Sequence, residues 1–328
     1  MQKRRLGAGG PEVSAIGVGA MSFAGVYGRS TEAEAHALLA AAVDLGIDHI
    51  DTSNIYGMGL SESMIGSFSE RRRFRIATKA AVRQDPETKR RWFDNSGPHL
   101  AAELEGSLKR LGVETVDLFY VHRRDPDVPI EEVAGSLAGL VAAGKTRAIG
   151  FSEIAPSSLR RAAAVHPVAA VQSEYSLSSR GPELGLVQAC EALGTALVAY
   201  SPVGRALLTD APPTPERIAA SEFLRVNPRF LEPNLGANLA QTDGLRSLAA
   251  DRGTSAAALA ISWLLARSPA VIPIPGTRSV AHLEELALGA SMTLDAAALA
   301  EIEARLPVGW AHGDRYTPAQ WVGPERYC

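Results

Sequence analysis

Four side chains between positions 51 and 122 could together move a proton: Asp51, Tyr56, Lys79 and His122. Asp51 and Tyr56 lie in DTSNIYG (51–57), Lys79 in FRIATKA (74–80) and His122 in VDLFYVH (116–122). Asp51, Lys79 and His122 close three consecutive apolar runs that read as strands, and Tyr56 sits on the loop just past the first of them. A free phenol titrates near about 10, so it needs help to exchange a proton at neutral pH. A neighbouring ammonium favours the phenolate, and a carboxylate holds and neutralises that ammonium in a partly buried place. An imidazole can donate a hydrogen bond to a carbonyl oxygen and fix its direction. A phenol that both gives and takes a proton suits carbonyl reduction and its reverse. Hydride must come from a cofactor, because no side chain supplies it. Singly, a strand-end Asp can cap a turn and a Lys can point to solvent; it is their place at consecutive strand ends that points to chemistry.

The elements that would position them alternate regularly. Short apolar runs at 13–20, 47–52, 74–80, 116–122, 146–152, 168–175, 195–202 and 270–276 read as strands. Each is followed by a stretch of helical period: 32–46, 61–68, 97–112, 130–144, 157–165, 182–194, 238–268 with a break near Gly253, and 281–289. Such alternation makes a parallel sheet with right-handed crossovers. Eight units in 328 residues fit a closed (β/α)8 TIM barrel of the α/β class better than an open sheet. An extra helix is expected at 295–306, then a polar tail, and a Pro-rich loop at 201–235. No linker or repeat divides the chain, so it reads as one domain over 1–328. In a barrel the C-terminal strand ends share one mouth, where the four side chains would converge.

Several classes are disfavoured. The net charge of −3 gives no electrostatic reason for a nucleic-acid or anionic-membrane partner. The basic stretch RRRFR (71–75) reads as a solvated turn. Cys190 and Cys328 form neither a disulfide framework nor a zinc site. No signal peptide or apolar span is evident, so a cytoplasmic address is expected. GVGAMS (17–22) resembles a dinucleotide fingerprint, but Ser22 stands at the third glycine and a loop, not a helix, follows. Its glycines are expected to close a tight turn on the barrel. His49 and Asp51 alone do not make a metal site, and none is expected.

DTSNIYG, IATKA, DLFYVH and IPIPGT together resemble the aldo-keto reductases. The resemblance runs from KRRLGAGGPEVSAIGVG to IPIPGTRSVAHLEEL, and HRRDPDVPIEE, AVHPVAAVQSEYSL and VAYSPVGRALL bring it closer to pyridoxal-reductase-like and perakine-reductase-like members. It implies a (β/α)8 barrel, with an N-terminal hairpin and a C-terminal extra helix and tail, that binds NADPH/NADP+ in extended form. It implies Tyr56 as general acid, tuned by Lys79 and Asp51, with His122 orienting the carbonyl of an aldehyde or ketone. Ser152 and Gln172 match the side chains that bind the nicotinamide amide, and Tyr200 the aromatic stacked on its ring. Ser201, Pro202, Val203, Gly204 and Arg205 match the loop over the pyrophosphate. Pro275, Gly276, Thr277 and Arg278 match the adenosine phosphate site at the start of the last helix, with Arg278 reading the 2′-phosphate.

Three departures stand out. Glu153 replaces a common asparagine after Ser152. Leu286 replaces an asparagine that contacts adenine, leaving Glu285 to compensate. The first loop reads SFAGVYG (22–28), which makes the substrate pocket unusual. Phe23, Val26 and Tyr27, with Trp92, Phe93, Trp310 and Trp321, are expected to wall that pocket, and aromatics there suit a planar or apolar substrate. Two other readings compete: a cofactor-binding redox sensor on the same barrel, and a metal-dependent barrel hydrolase. The substrate, the working direction and the oligomeric state are not legible.

Overall fold

A computed structural model of the chain describes every residue except Tyr27, Pro86, Lys89 and Cys328. Eight parallel strands follow one another around a barrel: β1 Val18–Gly19, β2 His49–Asp51, β3 Arg75–Ala80, β4 Leu118–Val121, β5 Ile149–Ser152, β6 Val168–Glu174, β7 Ala196–Tyr200 and β8 Val271–Pro273. Gly17 and Gly19 donate backbone N–H groups to the carbonyls of Pro273 and Pro275, each at 2.9 Å, and so join the first strand to the last. A Cβ at Gly19 would lie 2.6 Å from the Ile274 carbonyl oxygen. The glycines of GVGA thus serve close approach at the barrel seam.

Alternate strand residues face opposite sides. Leu118 and Tyr120, Ala196 and Val198, and Ile272 and Ile274 fill the interior together with Leu6 and Val13. Their neighbours Phe119, Val121, Leu197, Ala199 and Val271 belong to the larger core shared with the helices. A Cβ at Gly150 would come within 2.5 Å of the Tyr120 ring, so the small residue on β5 makes room for the large one on β4. Helix ends carry the expected signals. Thr31 and Glu34 form a capping box on Glu32–Asp44, and Gly112 closes Gly97–Leu111 in a left-handed turn.

Four segments differ in detail from the sequence reading. The run at 13–20 divides: Glu12–Ser14 pairs antiparallel with Lys3–Arg5, and only Val18–Gly19 enters the barrel. Leu6 and Val13 of that hairpin join the interior cluster, which gives it an apolar face to bury. The loop at 201–235 holds the helix Pro215–Ala220 and several 3-10 turns. A hairpin, Val82–Gln84 with Arg91–Phe93, follows β3; its alternation is too short to stand out in the sequence. The stretch at 238–268 resolves into Asn234–Asp251 and Ala256–Arg267, with Ser255 capping the second.

Candidate active site

Asp51, Lys79 and the residue after Val121, His122, leave the C-terminal ends of β2, β3 and β4, and Tyr56 returns over them. Lys79 has no exposed surface and Asp51 retains only 2%. The Lys79 Nζ donates to Asp51 Oδ1 and, at 2.8 Å, to the Thr52 carbonyl. It stands 5.1 Å from the centre of the Tyr56 ring. Gln172 Nε2 donates to the other Asp51 oxygen at 2.8 Å, so both carboxylate oxygens are held. The rings of Tyr56 and His122 meet edge to face, 5.8 Å between centroids. Ser53 Oγ lies 3.1 Å from His122 Nδ1.

The electrostatics refine the expectation for the phenol. Burial raises the Tyr56 pKa and outweighs the opposing pull of Lys79, so the phenol keeps its proton at neutral pH. Burial works against the Lys79 charge, but Asp51 and the phenol more than offset it, and the ammonium is held above the ordinary lysine value. Burial, and then the charges of Arg123, Lys79 and Arg91, push His122 well below the usual imidazole value. The site therefore contains a protonated phenol, an ammonium and a neutral imidazole.

A second circle of charge surrounds the first, and the tail closes it. Glu153 accepts from both Arg315 nitrogens, Nη1 at 3.0 Å, and from the Tyr200 hydroxyl at 2.9 Å. The Tyr316 hydroxyl bonds that of Tyr200. Glu174 accepts from Arg205 at 3.0 and 2.6 Å and from Arg229 at 3.3 Å, and its carboxyl is lowered to about 2. Burial opposes that ionisation, and the three guanidiniums of Arg205, Arg315 and Arg229 override it. Arg123 donates to the His122 carbonyl at 2.7 Å and to Ser152 Oγ at 3.0 Å. Glu325 anchors the tail further, accepting from Arg124 and from the Ala155 N–H at 2.7 Å. Of two hollows of about 260 Å³, one lies beside Met1, Leu45 and Leu288 and the other beside the Arg124–Glu325 anchor; neither is lined by Tyr56 or His122.

The model described as "Aldo/keto reductase family" matches residues 15–306. The chain belongs to that family. It is 38% identical over 317 residues to the Schizosaccharomyces pombe aldo-keto reductase yakc, whose name carries NADP(+), covering 94% of this chain and 93% of the relative. It is 36% identical over 322 residues to probable aldo-keto reductase 1 of Glycine max, covering 96% and 92%. A glycerol dehydrogenase structure from Gluconobacter oxydans superposes with a TM-score of 0.81 at 27% identity, over 96% of this chain and 98% of that one.

In this aldo/keto reductase Ser152 and Gln172 are register partners on β5 and β6. Ser152 Oγ accepts from Arg123, and Gln172 donates its amide to Asp51. Tyr200 ends β7, and the loop beyond it turns through left-handed conformations at Ser201, Gly204, Arg205 and Ala206. Pro202 and Val203 complete that loop. The Arg205 guanidinium turns inward to Glu174. All six non-glycine residues with positive φ among those described (Met58, Ala81, Glu153, Ser201, Arg205 and Ala206) follow β2, β3, β5 or β7 at the C-terminal face, where strained backbone tends to serve function.

Pro275, Gly276, Thr277 and Arg278 lead into the helix Val280–Ser291, which Ser279 caps. Arg278 is exposed and donates to the Arg29 carbonyl at 2.6 Å, which brings the first loop beside this segment. Leu286 is buried in the main core while Glu285 is exposed beside it.

The aromatic wall is less uniform than expected. Phe23 is buried in the main core, and Trp310 is buried with its indole N–H on the Leu177 carbonyl at 2.8 Å. Trp92 is 40% exposed, stacked on Arg83. Trp321 packs edge-on to Tyr316, and Tyr27 lies outside the described residues. Sequence reading missed Arg123, Glu174, Arg229, Arg315 and Tyr316. Only Arg123 carried a local signal, its position directly after His122.

Among the described residues no group of His, Cys, Asp and Glu could hold a metal ion, and no helix is long and apolar enough to cross a membrane.

Proposed function

We propose that the chain is an NADPH-dependent carbonyl reductase, converting an aldehyde or ketone to its alcohol with Tyr56 as the proton donor. One observation carries this reading: a buried ammonium, itself held by Asp51, stands beside a phenol that keeps its proton, with a neutral imidazole edge-on to that phenol. Tyr56 gives its proton to the developing alkoxide oxygen, and the adjacent Lys79 charge stabilises the phenolate left behind. His122, neutral and so able to present one N–H, orients the carbonyl. Asp51 keeps the ammonium in place, and Gln172 fixes Asp51.

NADPH, when bound, supplies the hydride. Ser152 and Gln172 would hold its amide and Tyr200 its ring face. The turns of Ser201 to Arg205 would follow the pyrophosphate, and Pro275 to Arg278 and Glu285 the adenosine end. A hydroxyl that can donate, on Ser152, and an amide oxygen that can accept, on Gln172, would match what a carboxamide requires. The subgroup resemblance and a cytoplasmic, one-domain enzyme go with this reading.

Titration with NADPH and then NADH, followed by intrinsic fluorescence, tests it. Tight NADPH binding with much weaker NADH binding is expected; binding of neither would sink it.

A further inference from the structure

Arg123 has no use in the scheme above, yet its guanidinium sits within the site. It leaves the chain directly after His122 and folds back, so that Nη1 bonds the His122 carbonyl at 2.7 Å and Ser152 Oγ at 3.0 Å, while Nη2 reaches the Tyr316 hydroxyl at 3.4 Å. Every one of these partners is neutral. Among the described residues no carboxylate forms an ion pair with it, whereas three other arginines of this circle are matched: Arg315 to Glu153, and Arg205 and Arg229 to Glu174. Glu153 acts on Arg123 through space, but its oxygens are taken by Arg315, Tyr200 and the Glu174 N–H. Four guanidiniums thus share two buried carboxylates. Arg123 is half-buried; burial works against its charge, but the hydroxyls of Tyr316 and Tyr200 and the Glu153 carboxylate hold it, and this guanidinium, which forms no ion pair among the described residues, is next to the candidate carbonyl-binding histidine. Its charge is felt by His122 and by Tyr56. The Tyr316 hydroxyl, at the longest of its contacts, is the partner most easily displaced.

We propose that Arg123 receives an anionic group on the substrate, a carboxylate or a phosphate, so that this site selects carbonyl compounds carrying a negative charge over neutral ones. The planar fork of a guanidinium suits such a group bidentately. The proposal rests on the assignment of Tyr56 and His122 to the carbonyl end.

The test compares para- and meta-formylbenzoate with their uncharged amides, which match them in shape. Turnover is measured with NADPH, and binding to the enzyme with NADP+ is measured by calorimetry. The acids are expected to exceed the amides in kcat/KM and in affinity by roughly 10- to 100-fold, the range for a charge-assisted hydrogen bond. Arg123→Gln should bring that ratio close to one, and Arg123→Lys should retain part of it as a point charge. The NADPH affinity of Arg123→Gln should move less than the ratio does. An acid-to-amide ratio near one in the wild type overturns the proposal, as does a ratio that survives in Arg123→Gln. A loss of NADPH affinity as large as the loss of selectivity would assign Arg123 to the cofactor instead. If neither acid nor amide is reduced but the acids still bind through Arg123, the carbonyl-reductase reading falls and the anion site stands.

Discussion

The Lys79 ammonium lies 5.1 Å from the centre of the Tyr56 ring, with no exposed surface, and bonds a carboxylate that Gln172 holds from the other side. The geometry gives the phenol a cation that gains interaction energy as the proton leaves, while burial keeps the proton in place until then. Tyr56→Phe removes the proton and keeps the ring. Turnover should fall by roughly 10²- to 10⁴-fold, the usual contribution of a positioned acid, while NADPH still binds. Steady-state rates beside a cofactor titration check this; wild-type turnover in the variant would exclude Tyr56 as the donor.

Much of this relationship is legible in the amino-acid sequence. Short apolar runs locate seven of the barrel strands and overlap the first, whose run also takes in part of the N-terminal hairpin; strand ends converge in a barrel, so the positions of Asp51, Lys79 and His122 alone place them at one mouth. The second circle is not legible in that way. Glu174 and its partners Arg205 and Arg229 lie in β6 and in the long segment after β7, and nothing local in the sequence pairs a carboxylate with guanidiniums 31 and 55 residues away. Arg315 and Tyr316 sit in a polar tail of which only Trp310 and Trp321 are expected at the pocket, yet Tyr316 is buried against Tyr200 and Arg123. The net effect on Tyr56 is also out of the sequence's reach, because it is set by burial, the first of the causes acting on that phenol.

The adenosine end gives a separate prediction. Arg278 is exposed at the start of a capped helix, where backbone N–H groups and a guanidinium together suit a phosphate. Arg278→Gln should weaken NADPH binding by roughly 10- to 100-fold and leave NADH binding nearly unchanged, narrowing the preference between them. Equal losses for both cofactors would show that Arg278 does not read the 2′-phosphate.

The Glu153–Arg315 pair latches the tail. Glu325 donates its N–H to the Glu153 carbonyl at 2.8 Å, and Asn227 holds the Arg315 carbonyl at 2.8 Å, so the pair lies between two backbone anchors. In Arg315→Met the Glu153 carboxylate keeps Tyr200 and the Glu174 N–H but loses its charge partner. Breaking such a pair from one side is strongly unfavourable. Hydrogen exchange at the Glu325 amide and along residues 311–327 should accelerate at least tenfold, with the barrel strands protected as before. Unchanged exchange in the tail would mean that the anchors hold without the ion pair.

Stability should depend on pH in a defined way. His49 and His122 are both held below the ordinary imidazole value, chiefly by burial. The unfolded chain therefore binds more protons than the folded one once the pH drops below about 6.5, and stability falls from there at up to about 1.4 kcal/mol per pH unit for each histidine. Glu153 and Glu174 have depressed values, so their contribution is complete above about 4.3 and is lost as the pH falls further, for Glu174 through about 2. Lys79 is shifted the other way: its contribution is complete below about 10.4 and is lost only as the pH rises through its higher folded value. Urea unfolding at pH 7, 6 and 5 should thus show a declining midpoint at unchanged slope. His122→Gln should remove about half of that decline, because Gln carries no proton to gain. A midpoint that stays level between pH 7 and 5 would mean that the histidines are not held neutral, and His122 could then not be assigned a single neutral N–H toward a carbonyl.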